Sequence, residues 1–164
     1  MENLTPKEAI KRSIQTEKNA MDFYRIGAKH MKNSDARKTF ELLAKEERDH
    51  AAEFYAIYPG DDIPDFETFI ASEPETEVDW LSDLNKKLMG DFSDRQAMEL
   101  AMEKELLLEK HLRKMAERFD DPDVRGVFLK NVESTHNHYL LIESEYARLM
   151  GMVHETDIDT FVRE

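Results

Sequence analysis

Cysteine is absent from this chain of 164 residues. Disulfides, thiolate catalysis and every sulfur-ligated metal centre are thereby excluded. Long apolar runs are missing as well: none approaches the ~20 residues that a membrane helix needs, so no membrane partner is expected. The opening residues, Met1 to Glu8, hold no apolar stretch and carry acidic groups, which is not the pattern of a secretory signal. The expected location is the cytoplasm. Positive charge is in deficit, with 23 Lys and Arg against 36 Asp and Glu, a formal net charge of −13. Nucleic acid and anionic membrane surfaces repel such a chain, and nucleic acid is not expected as a partner. Glycine and proline number only five each, almost all between or at the ends of four segments with helical periodicity, 6–32, 35–58, 94–120 and 123–150.

The boundaries of these segments carry start and stop chemistry. Thr5-Pro6-Lys7-Glu8 reads as a capping box with proline at the first helical position, and Ser93-Asp94-Arg95-Gln96 repeats it. Asn33/Ser34 and Asp121-Pro122 are start signals for the second and fourth segments. Pro59-Gly60 ends the second, and Gly151 is placed to end the fourth.

The starts are in register. A shift of 88 carries Thr5 to Ser93, Ala9 to Ala97, Ile14 to Met102, Glu17 to Glu105, Ala28 to Ala116, Asp35 to Asp123, Phe40 to Phe128, His50 to His138 and Tyr58 to Tyr146. No gap interrupts it, so the chain holds two copies of one helical hairpin, 5–58 and 93–146. Each copy has one apolar stripe to bury, and packing the two face to face yields an all-α antiparallel four-helix bundle spanning 1–151. The connection 59–92 carries Ile63, Phe66, Phe69, Ile70, Trp80, Leu81, Leu84 and Leu88. It is expected to form short helices covering one side of the bundle, a long crossover between helices 2 and 3 of the ferritin-like kind. Residues 152–164 form an acidic tail in which Ile158, Phe161 and Val162 are available for docking.

Charge interrupts the apolar seams. The inward series of the first helix runs Ile10, Ser13/Ile14, Glu17, Ala20/Met21, Tyr24, Gly27/Ala28, Met31. The second runs Phe40, Leu43/Ala44, Glu47, His50/Ala51, Phe54, Tyr58, and the third Met98, Ala101/Met102, Glu105, Leu108, Leu112, Met115, Phe119. A carboxylate in mid-stripe must be compensated, because taking an ion out of water costs several kcal/mol even after relaxation. No Lys or Arg lies on these seams. Protonation compensates at the cost of raised pKa values, and one or two divalent cations compensate directly. Glu47 and His50, at i and i+3, offer an oxygen and a nitrogen to one ion. With oxygen and imidazole donors and no sulfur, the candidate ions are iron, manganese and zinc.

The pattern resembles the rubrerythrin branch of the ferritin-like, di-iron carboxylate superfamily over residues 5–150. Glu17 followed by Tyr24, and Phe40 followed by Leu43-Ala44-Lys45-Glu46-Glu47-Arg48-Asp49-His50, carry the resemblance. It implies two divalent ions, iron first among the candidates, with Glu17, Glu47, His50 and Glu105 as ligands. It also implies an oxidoreductase that reduces hydrogen peroxide or dioxygen. The rubredoxin-like module of four cysteines that serves whole rubrerythrins cannot be present, so turnover requires an external electron donor. Competing expectations are a protein that sequesters metal without turnover and a structural bundle whose site has decayed. A cage-forming ferritin is not expected; a homodimer is compatible.

The fourth helix departs from the family pattern. The 88 shift places His138 at the histidine position but Thr135 where a fourth glutamate belongs. Glu133 and His136 also spell Glu-x-x-His on another face of the helix. His138, favoured by the repeat, is the expected ligand, with His136 as rival. Three carboxylates leave one positive charge of two dications unneutralised, so the second ion is expected to be weakly held, exchangeable or absent. His30, His111 and His154 read as surface residues, and Tyr24 and Tyr139 as core. Tyr24 is also placed to hydrogen-bond a ligand carboxylate. Lys104 reads as part of a charged outer face.

Overall fold

In the computed structural model the chain is described over residues 4–162, with side chains except at 79 and 152–162. The elements are α1 (Pro6–His30), α2 (Ser34–Ile57), α3 (Phe66–Ala71), α4 (Asp79–Met89), α5 (Asp94–Arg118) and α6 (Pro122–Val162). The internal repeat governs their boundaries. From 6 to 94, from 30 to 118 and from 34 to 122 the offset is 88 each time, so α1 and α5 coincide end to end and α2 and α6 start together.

Local hydrogen bonds explain these starts. Thr5 accepts from the Glu8 amide while the Glu8 side chain accepts from the Thr5 amide, closing a capping box ahead of Pro6. Ser93 accepts from the Gln96 amide, but the reciprocal half is missing, and Gln96 Oε1 is buried without a partner. Asn33 caps α2 through the Ala36 amide, and Asp121 caps α6 through the amides of Asp123 and Val124. Asp94, in the first turn of α5, accepts from the backbone amides of Lys32 and Asn33. That contact ties the α1–α2 loop to the start of the second hairpin.

Short loops fold α1 on α2 and α5 on α6 as antiparallel hairpins, and α2 packs against α6. All of the inward positions named above on α1, α2 and α5 are buried or partly buried. Aromatic rings fill the bundle on one side of the polar centre. Phe23, Tyr24, Phe40 and Trp80 pack with centroids 5.0–6.0 Å apart, and Tyr24 meets Phe40 edge-on at 89°. Phe54 and Phe128 pack at 5.0 Å. Gly27 permits the approach of Phe40: a Cβ there would lie 3.1 Å from two ring carbons.

The crossover covers the α1–α5 side. α4 buries Trp80, Leu81 and Leu84, whereas α3 buries no residue fully. This coverage makes an interior of a face that reads as exterior in sequence. Lys18 and Asp22, each 1% exposed, form an ion pair of 2.7 Å, and Lys18 Nζ also donates to the Ser72 carbonyl at 3.1 Å. Lys104 is likewise buried and pairs with Asp83 of α4 at 2.6 Å, so it pins the crossover and is not part of an outer face.

Lys18→Met alone leaves Asp22 buried with only the distal Arg25 guanidinium at 3.3 Å. It is expected to lower stability by about 3–5 kcal/mol, and Lys18→Met with Asp22→Leu to recover most of that loss. Denaturant unfolding of the two variants checks it.

Two further expectations are corrected. Gly151 does not end the last helix, which continues to Val162. No glycine among the described residues has positive φ, so none supplies a left-handed helix stop. Tyr139 is not core: it is partly exposed and its hydroxyl donates to Glu143. His30 and His111 are exposed. The side chains of His154, Ile158, Phe161 and Val162 lie outside the described residues. No described helix is long and apolar enough to cross a membrane.

Candidate metal centre

At mid-height each of four helices turns a ligand-type side chain inward. α1 contributes Glu17, α2 Glu47 and His50, α5 Glu105, and α6 His138, each of them buried. Their placement follows from the seam: Ile14 and Met21 flank Glu17, Leu43 and Ala51 flank Glu47, Met102 and Leu108 flank Glu105, and Phe54 and Ile142 lie one turn beyond His50 and His138, so burying the stripe carries the polar groups inside. His136, the rival on α6, is 49% exposed and hydrogen-bonds Glu109 through Nδ1, and Glu133 is exposed.

Glu47 is the centre of the group. Its Oε1 lies 2.9 Å from His50 Nδ1 and 3.2 Å from His138 Nδ1, and the two imidazoles stack with centroids 5.1 Å apart. Glu17 Oε2 lies 3.6 Å from His50 Nδ1, and Glu105 Oε2 lies 3.5 Å from His138 Nδ1. The repeat thus reappears in space as a Glu17–His50 half and a Glu105–His138 half, with Glu47 shared between them.

These short distances are not a hydrogen-bonded network. Both Nδ1 atoms, both oxygens of Glu17 and of Glu47, and Glu105 Oε2 are buried without any hydrogen-bond partner. Buried polar atoms are nearly always satisfied, so orphans on five residues at one place require an explanation. A cation would supply it. Ligand atoms of Glu47, His50 and His138 all fall within 4.8 Å of one another, close enough to form the heart of a metal site. The donor set of carboxylate and imidazole suits iron, manganese or zinc.

Electrostatics describes the same site without metal. Burial, with the Glu47 charge adding to it, pushes Glu17 up to about 8. The same two causes push Glu105 up to about 7. Burial also pushes Glu47 up, but the two histidines outweigh it and hold Glu47 down at about 2. Burial lowers His50 and His138, and the facing carboxylates outweigh that and raise them to about 10 and about 11. In the metal-free protein, protons occupy the imidazoles and neutralise the convergent acids.

Away from this cluster, each histidine uses its second nitrogen. His138 Nε2 donates to Glu46 Oε1 at 2.8 Å, and His50 Nε2 lies 2.7 Å from Ser134 Oγ. Residues 46 and 134 are themselves related by the 88 shift, so each copy of the hairpin supports the histidine of the other. Tyr24 donates to Glu105 Oε1 at 2.9 Å. Its repeat counterpart, Leu112, has no hydroxyl. The Tyr24 bond was foreseeable from seam spacing; the Glu46 and Ser134 contacts were not, because each joins two different helices. Thr135, at the position of the missing glutamate, is fully buried with its hydroxyl unpartnered.

A bundle of two pseudo-repeated hairpins, a long crossover and a carboxylate–histidine cluster in its interior defines a ferritin-like protein with a candidate metal site. Within that class the chain belongs to the rubrerythrin family, whose family model matches residues 8–146 and so takes in both hairpins and the crossover. No curated protein and no solved structure matches the chain significantly.

Proposed function

We propose that this chain is a non-haem dimetal carboxylate protein, with iron the favoured metal, that reduces hydrogen peroxide or dioxygen using electrons from an external donor. The observation that carries the reading is the set of orphaned donor atoms on Glu17, Glu47, His50, Glu105 and His138 in a dry interior. Glu17 and His50 would hold one ion and Glu105 and His138 the other, with Glu47, close to both imidazoles, shared between the two halves. Bound iron supplies the reversible electron storage that the reduction of peroxide to two waters, consuming two electrons and two protons, requires.

The chain's own residues set the conditions for that chemistry. The five side chains are buried, which strengthens every charge interaction between them. Tyr24 orients Glu105 through its hydroxyl. Thr135 leaves the set one carboxylate short of neutralising two dications, which favours an anionic or water-derived ligand from outside the protein.

The test is peroxide consumption by protein loaded with iron(II) under anaerobic conditions and supplied with a reductant, measured beside Glu47→Leu treated identically. Consumption above that of the variant supports the enzyme. Stable iron binding with consumption no greater than that of the variant identifies a sequestering protein instead.

A further inference from the structure

We propose that the two metal positions are inequivalent and fill in order: the Glu105–His138 position first, with Glu46 as a positioning residue acting through His138, and the Glu17–His50 position second. This deepens the proposed function and rests on it. The argument is the break in symmetry between positions 46 and 134, and between 24 and 112.

A carboxylate accepts hydrogen bonds and donates none. Glu46 therefore holds one proton of His138 on Nε2, so the proton given up when a metal binds is the one on Nδ1, the nitrogen that faces Glu47 and Glu105. A carboxylate behind a ligating imidazole also makes it a better donor, and loss of such a partner typically costs 10- to 100-fold in metal affinity. Ser134 stands in the equivalent place behind His50, at 2.7 Å. A hydroxyl both donates and accepts, so when His50 gives up one proton nothing fixes which nitrogen loses it, and a hydrogen left on Nδ1 blocks ligation.

The carboxylates differ in the same sense. Tyr24 fixes Glu105 by one oxygen and leaves Oε2 facing His138 Nδ1. Glu17 has neither oxygen hydrogen-bonded. A hydrogen bond from Tyr24 withdraws some electron density from Glu105, but it also removes the freedom that a ligand must otherwise lose on binding. Preorganisation therefore favours the Glu105–His138 side in both of its residues. The missing fourth carboxylate at Thr135 then falls on whichever ion arrives second.

The experiment is anaerobic titration of metal-free protein with cobalt(II), followed by visible absorption and by equilibrium dialysis for stoichiometry. Wild-type protein is expected to bind two ions in separable steps differing at least ~10-fold in affinity. Glu46→Gln is expected to weaken the first step ~10-fold or more and leave the second in place, with Glu46→Asp restoring most of the loss. Ser134→Ala should alter only the second step. Two ions binding with equal affinity, or Glu46→Gln acting on the second step alone, overturns the order of filling while leaving the dimetal reading intact. Absence of cobalt binding at either position overturns both.

Discussion

Replacing Glu47 by leucine is expected to abolish binding of both ions at once, whereas Glu133→Leu on the exposed face of α6 leaves binding unchanged. Glu47 is the one carboxylate close to both imidazoles, at 2.9 and 3.2 Å through the same oxygen. Each half of the site retains one Glu and one His without it, too few protein ligands to hold a divalent ion tightly. A loss of ~100-fold or more in affinity is expected, since even partners behind the ligands are worth 10–100-fold. The metal-free fold should survive, because leucine matches the seam and the imidazoles can give up their protons when the anion between them is gone. Metal content and unfolding midpoints measured together distinguish a lost site from a lost fold.

The second large effect is an opposite response of the metal-free and metal-loaded proteins to pH. His50 and His138 have folded values of about 10 and about 11 against an ordinary 6.5. Their contribution to stability is complete below pH 6.5 and is lost as pH rises through the folded values. Glu17 and Glu105, raised from 4.5 to about 8 and about 7, act in the same direction over a lower window. Their protonated forms favour the fold at low pH, and that advantage disappears as pH climbs through 7 and 8. Glu47, lowered to about 2, works the other way: its contribution is present above pH 4.5 and lost as pH falls through 2.

Metal-free protein is therefore expected to be most stable near pH 5 and to lose stability steadily towards pH 8. Each kcal/mol lost lowers Tm by about 2–4 °C in a domain of this size. Metal binding needs the ligands deprotonated, and filling both positions at neutral pH should release about three protons. Affinity consequently rises with pH, and the difference in Tm between loaded and metal-free protein widens from pH 5.5 to 8. Glu17→Leu isolates one contributor. At pH 8 it should raise the stability of the metal-free protein by removing a buried acid whose charged form the interior disfavours, while lowering metal occupancy. Calorimetry of both forms across this range checks the sign.

Much of this architecture is legible from one arithmetic relation in the sequence. The 88-residue shift aligns three helix boundaries, and it selects His138 over His136, the residue that the structure turns outward to Glu109. Seam periodicity brings Glu17, Glu47, His50, Glu105 and His138 to one place because a buried stripe carries its polar members inside. Periodicity fails where a helix has two covered faces. Lys18 and Asp22 lie beside the α1 seam, and only the crossover, through the Ser72 carbonyl, converts their face into interior. Lys104 was read as surface for the same reason. Apolar character misled at Tyr139, which is partly exposed and donates its hydroxyl to Glu143 one turn along the same helix. The contacts behind the histidines escape any reading of a single helix, since Glu46 and Ser134 meet residues 92 and 84 positions away.

The most direct test of the central claim counts ions. Protein purified without chelator, then stripped and reloaded with iron(II) in the absence of oxygen, is analysed for metal per chain beside Glu47→Leu. Tight binding of at least one ion per chain, rising to two at excess metal and vanishing in the variant, is the expected result. A wild-type chain that retains no divalent ion under either treatment contradicts the account and leaves the buried acids neutralised by protons alone.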